Sequence, residues 1–156
     1  LDLLTGAYVV RQLHPWFENL SKRQVKAPKV YIRDSGLLHA LLSLRTLRQL
    51  TGHPKYGASW EGFAIEQILS LLKPQEAYYW ATYAGAELDL LIFQGGKRMG
   101  FEIKRVDAPR LTKSMHVALE DLRLDQLWVV YPGSKSYRMD KKVQALALED
   151  VTTVLK

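Results

Sequence analysis

Apolar and polar positions along the chain change period several times, and each change marks an element. Over residues 60–73, Trp60, Ala64, Ile65, Ile68, Leu69, Leu71 and Leu72 recur at helical spacing. They fill one half of a helical wheel, with Gly62, Glu66, Ser70 and Lys73 on the other. Ser59 is the expected N-cap and Pro74 the stop. Three strand-like stretches follow at 77–83, 87–93 and 99–106. A helix is expected from Pro109 to about 124, carrying Leu111, Met115, Ala118, Leu119 and Leu122. Residues 127–131 form a short apolar run expected as a buried strand, Pro132-Gly133 a turn, and 143–148 a last strand. Asp150 is expected to cap a terminal turn. The order from residue 59 is α-β-β-β-α-β-β, a mixed α/β class.

Residues 1–50 read differently. The run Tyr8-Val9-Val10 ends at His14-Pro15, and a polar, basic stretch covers 19–29. Val30-Tyr31-Ile32 reads as a strand, and Asp34 or Ser35 as the cap of a helix bearing Leu37, Leu38, Leu41, Leu42 and Leu44. This division gives one unit at 1–50, a helix–strand–wing arrangement cut at its start, and a second at 51–156. The first residue is Leu, so a fragment of a longer chain is expected.

The sharpest chemistry lies between the second and third strands of the second unit. Gly95-Gly96 suits a two-residue hairpin turn, because glycine adopts the positive φ such turns require. That loop sets Asp89 opposite Glu102 and Glu87 opposite Lys104. Alternation places Leu88, Leu90 and Ile92 on one face, with Glu87 and Asp89 on the other. Two directly opposed carboxylates repel and destabilise a sheet. A Mg²⁺ or Mn²⁺ ion between them reverses the sign, since hard divalent cations take oxygen ligands. Taken without a metal, the same residues are a solvated hairpin face, with Glu87 and Lys104 a cross-strand ion pair. On the helix, Glu66 falls on the polar side and is expected in solvent. Glu61 falls near the middle of the apolar arc, where it either favours the helix N-terminus or points across at the acidic face of the hairpin.

Composition narrows the classes. The 156 residues are 47% hydrophobic, enough for a core, with a formal net charge of +6 and no cysteine. Disulfides, thiolate metal sites and cysteine nucleophiles are excluded, and a cytoplasmic protein is expected. No apolar run approaches the ~18 residues of a membrane span, and no signal-peptide pattern opens the chain. Lys22, Arg23, Lys26, Lys29 and Arg33 form the densest basic cluster. It is either a phosphate-gripping wing for DNA or a solvated hairpin. His14, His39, His53 and His116 have no metal-ligand spacing.

Asp89, twelve intervening residues, and Glu102-Ile103-Lys104, preceded by a helix with Glu61, resemble the PD-(D/E)XK nuclease superfamily. That resemblance implies a restriction-endonuclease-like αβββαβ core. It implies Asp89 and Glu102 as ligands of Mg²⁺ or Mn²⁺, joined by the peptide carbonyl of Ile103. Lys104 would orient the attacking water, and Glu61 would be the accessory carboxylate. A second resemblance rests on residues 25–37 (VKAPKVYIRDSGL), 57–65 (GASWEGFAI), 80–82 (WAT) and 85–89 (GAELD). These are similar to a domain of unknown function at the C-terminus of prokaryotic AAA-type ATPases. The resemblance implies a preceding P-loop ATPase as a partner within the parent chain and a winged-helix-like segment over 1–50. No G-x-x-x-x-G-K-S/T run is present, so ATP is expected only in that other domain. Trp60 stands where the family pattern usually has a small aliphatic or aromatic residue.

Overall fold

The computed structural model of the protein describes residues 1–19 and 21–155. Leu20, inside the basic stretch, and Lys156, the end of the expected second unit, lie outside the described residues. A six-stranded mixed sheet carries the fold, in the order β3-β4-β5-β6-β8-β7. The strands are β3 (Ala77–Ala81), β4 (Glu87–Gln94), β5 (Lys97–Ile103), β6 (Gln126–Tyr131), β7 (Tyr137–Asp140) and β8 (Val143–Ala147). The inner pairs β5–β6 and β6–β8 are parallel, and the outer pairs are antiparallel. β7 had no counterpart in the hydrophobic pattern: it is a largely exposed edge strand, so nothing in its side chains reports burial.

Helix α4 (Tyr56–Leu72) covers one face. Its Ile65, Ile68 and Leu69 pack with Leu90, Ile92, Phe101, Val130 and Leu146. Helix α5 (Lys113–Asp121) covers the other, setting Met115 and Ala118 against Trp80, Leu88, Leu91, Leu127 and Val129. Two helix starts differ from expectation. α4 begins before Ser59, which lies buried within the helix and meets His39 Nε2 at 2.7 Å. α5 begins after Thr112, whose hydroxyl accepts from Met115 N–H. Pro109 stays in the preceding loop because a true side-chain cap is available three residues later.

The N-terminal segment holds α1 (Asp2–Gly6), β1 (Val10–Leu13), β2 (Lys29–Ile32), α2 (Ser35–Leu41) and α3 (Leu47–Thr51). β1 and β2 form an antiparallel ribbon. Asp34 caps α2, as one of the two expected caps. The ribbon packs on the larger unit: Leu13 joins the α4-side core, and Tyr79 exchanges backbone hydrogen bonds with His14 and Trp16. Tyr31 rests on α4, where a Cβ on Gly62 would meet its ring at 3.1 Å. This contact covers the side of α4 expected to face solvent. Glu66, expected there as a solvated residue, is instead buried and held by Arg11 and Arg33 (3.0 Å for Arg33). A wheel reports apolar burial only; a carboxylate buried by two arginines is invisible to it.

The β4–β5 hairpin has the expected register, from Leu90 opposite Phe101 to Gln94 opposite Lys97. Gly95 and Gly96 form the turn with φ of +58° and +74°, the double positive φ of a tight hairpin.

Candidate functional site

A β-bulge shapes the site. Between β3 and β4, Tyr78 faces Leu91 but Trp80 faces Leu88, so β4 carries one residue more than its partner around Asp89. Bulges re-aim side chains and locally open a ladder. Leu88 therefore packs on the α5 side, while Leu90 and Ile92 pack on the α4 side. This corrects the simple alternation, which placed all three together. The β4–β5 pairing stops at Leu90–Phe101. Beyond it, Asp89 Oδ2 accepts the backbone N–H of Ile103 at 2.9 Å.

Glu61 from the first half of α4, Glu87 and Asp89 from β4, and Lys29 from β2 then converge. The Lys29 ammonium lies 3.1 Å from Glu61 Oε1, 3.1 Å from Asp89 Oδ1, and in contact with Glu87 Oε1. Tyr31, two residues along β2 and on the same face as Lys29, donates its hydroxyl to Glu61 Oε1 at 2.5 Å. On the far side, Lys104 Nζ meets Glu102 Oε1 at 2.6 Å. The expected Glu87–Lys104 pair is not formed. The bulge and the parted strand ends give Glu87 to Lys29 and Lys104 to its near neighbour Glu102.

Charge is not balanced here. Glu61, Glu87, Asp89 and Glu102 face two ammonium groups, leaving two negative charges in excess if all ionise. The strain shows in their protonation. Burial and the adjacent Asp89 push the Glu102 carboxyl up to about 7. Burial and Glu61 raise Asp89 as well, against the pull of Lys29. Burial would lower the Lys29 ammonium, yet Asp89 and Glu61 hold it well above the ordinary lysine value. Lys104 is raised in the same way, burial being outweighed by Glu102.

One atom is left over. Glu102 Oε2 is buried and has no hydrogen-bond partner, although buried polar atoms are rarely left so. An acceptor without a donor, beside an excess of two negative charges, fits a divalent cation held by oxygen ligands. Among the described residues, no three or more His, Cys, Asp or Glu side chains stand in a ready-made cation cage. The carboxylates close on lysines instead.

All four residues of the expected catalytic set, Glu61, Asp89, Glu102 and Lys104, thus lie in one cluster or at its edge. Ile103 takes part through its N–H. The five basic candidates separate. Lys29 turns into the acids, and Arg33 pairs with Glu66. Lys22 is exposed and paired with Asp121, Arg23 is exposed and stacked on Tyr83, and Lys26 is exposed. Lys29, placed by the sequence with the basic cluster, and Tyr31, placed there only within a strand, are the further members. Their i, i+2 spacing on a short strand was the available signal.

Residues 56–151 match the family DUF4143, a domain of unknown function, and the chain belongs to that family. Residues 1–48 match a second domain of unknown function, DUF8612. Two uncharacterized proteins, one of Mycobacterium bovis and one of Mycobacterium tuberculosis, are each 50% identical to the chain over 153 residues. The alignments cover 98% of this chain and 35% of each relative, so the chain spans about a third of their length. Among the described residues, no helix is long and apolar enough to cross a membrane.

Proposed function

We propose that the chain is a divalent-metal-dependent, nuclease-like domain that hydrolyses DNA phosphodiesters and serves as an accessory part of an AAA-type ATPase. The observation that carries this reading is Glu102 Oε2, buried without a partner in a cluster with two negative charges in excess. The α-β-β-β-α-β order over α4 to β6 supports a restriction-endonuclease-like core. The β1–β2 ribbon followed by α2 supports a winged-helix-like reading of the N-terminal segment. ATP would bind only in the parent protein's ATPase domain, and the cytoplasm is the proposed location.

Asp89 and Glu102 would hold Mg²⁺ or Mn²⁺, with the Ile103 carbonyl as a further ligand. The metal supplies acidification of a water molecule and charge neutralisation at phosphorus. The chain does the rest. Ile103 N–H fixes the Asp89 carboxylate so that Oδ1 stays turned to the cluster. Lys104, anchored on Glu102, orients the attacking water by hydrogen bonding. The water would give up one proton to solvent and its oxygen would bond to phosphorus as the bond to the leaving sugar oxygen breaks, that oxygen taking up a proton from solvent. Glu61, held by Tyr31 and Lys29, keeps the acidic wall in place.

A second reading is a catalytically silent module that binds DNA or protein for the ATPase. It is favoured by the two lysines already occupying carboxylate oxygens. Calorimetric titration of Mn²⁺ into the wild type and into Asp89→Ala/Glu102→Ala separates the two. The same samples are then incubated with single-stranded, duplex and branched DNA. Binding and cleavage by the wild type alone is the expected result. Binding without cleavage supports the second reading. Identical titrations of both proteins would remove the metal site altogether.

A further inference from the structure

The acidic cluster has two ends, and they are not alike. At one end, Glu61 Oε1, Glu87 Oε1 and Asp89 Oδ1 all close on a single cation, the Lys29 ammonium. At the other, Glu102 offers a buried oxygen with no partner, its second oxygen being held by Lys104. Asp89 lies between them. Enzymes that cut phosphodiesters with two metals set the ions roughly 3.5–4 Å apart, bridged by a shared carboxylate. The present cluster likewise has two acidic ends on either side of one carboxylate, Asp89, but the cation at one end is a side chain.

We infer that Lys29 is a built-in second cation. The site takes one divalent metal, at the Asp89–Glu102 end, and the Lys29 ammonium permanently fills the place a second metal would take. The inference rests on the divalent-site reading and fixes its stoichiometry.

The geometry argues against a chance surface contact. Lys29 makes three carboxylate contacts at once, and its side chain is only 23% exposed. Its ammonium also lies over the Tyr79 ring, 5.4 Å from the centroid, an arrangement that favours a cation. The Tyr79 hydroxyl donates to the carbonyl of Ala27, two residues before Lys29, pinning the approach of the strand. Lys29 reaches the cluster from the β1–β2 ribbon, outside the region that holds all four carboxylates. The N-terminal segment thus contributes one charge to a site otherwise built by the larger unit.

The test is Mn²⁺ stoichiometry, read by calorimetry and by the electron paramagnetic resonance spectrum of the bound ion, with no activity required. The wild type is expected to bind one Mn²⁺ with the spectrum of an isolated ion. Lys29→Met is expected to bind two, with a spin-coupled spectrum, and Lys29→Arg one. Lys29→Gln serves in place of Lys29→Met if that variant does not fold. Two ions in the wild type, or one in both wild type and Lys29→Met, would overturn the inference and leave the metal site standing. No Mn²⁺ in the wild type would overturn the divalent-site reading itself, and this inference with it.

Discussion

Two buried carboxylate sites border the same helix, and they are opposites. Glu66 is matched by two guanidinium groups, Arg11 from β1 and Arg33 just past the end of β2. Burial would raise its carboxyl, but the two arginines more than offset this and hold it below the ordinary range. Glu102 has the reverse surroundings: other acids nearby, one lysine, and a buried oxygen without a donor. One carboxylate is oversupplied with positive charge and the other undersupplied. A site that only holds elements together has every reason to be satisfied. A site left short of positive charge either keeps a proton or draws in a cation, and the divalent-metal proposal takes the second course.

The largest expected effect breaks the satisfied site. Glu66→Ala leaves Arg11 and Arg33 converging on nothing and unties the ribbon from α4. Removing one partner of a buried ion pair costs about 3 kcal/mol at the lower end of its usual range. That end applies because both arginines are partly exposed. Urea denaturation reads it. A loss below about 1 kcal/mol would class the triad with surface ion pairs and weaken the contrast between Glu66 and Glu102.

At Glu102 the expected effect has the opposite sign. Its carboxyl is raised from 4.5 to about 7 in the folded protein, so the folded state binds a proton that the unfolded state releases. The stabilising contribution is complete below about pH 4.5 and is lost as pH rises to about 7. Metal-free protein should therefore lose stability across that window, and Glu102→Gln should reduce the loss, the raised Asp89 carboxyl accounting for the rest. At pH 8 the variant is expected to exceed the wild type by on the order of 1 kcal/mol. Thermal melts from pH 4 to pH 8, with and without Mn²⁺, check this; saturating Mn²⁺ should flatten the wild-type slope. A wild type that gains stability over the same range would contradict an undersupplied site.

Legibility in the sequence follows the same division. The hairpin register was readable because Gly95-Gly96 admits few turns and a strand has a period of two. The larger unit's helices and inner strands were readable because their apolar positions repeat. The bulge at Asp89 was not, since it leaves no residue-type signature when the extra position is an acid near a strand start. Burial of Glu66 was not, because it depends on Arg11 and Arg33 arriving from more than thirty residues away. Lys29 was read with its basic neighbours for a related reason. A run of like charges suggests a common role, but Lys29 opens β2 and turns to Asp89 and Glu61, whereas Arg33 lies just past the end of that strand and turns to Glu66.

The smallest effect concerns what remains of that basic stretch. Lys22 differs from Lys29 in every respect that matters: its side chain is 45% exposed and its partner Asp121 ends α5, the helix on the other face of the sheet from α4. Exposed pairs contribute little, so Lys22→Ala should change stability by no more than about 0.5 kcal/mol. Its measurable role, on the DNA-binding proposal, is a phosphate contact. Loss of one such contact weakens binding to all sequences alike and lowers the slope of log affinity against log salt by about 0.9. Duplex titrations at several salt concentrations decide the matter. An unchanged slope for Lys22→Ala would confine DNA contact to other parts of the surface and leave Lys22 a solvated ion pair. A reduced slope at unchanged stability would make Lys22 part of a phosphate track, in contrast to Lys29, whose charge is already committed to the protein's own carboxylates.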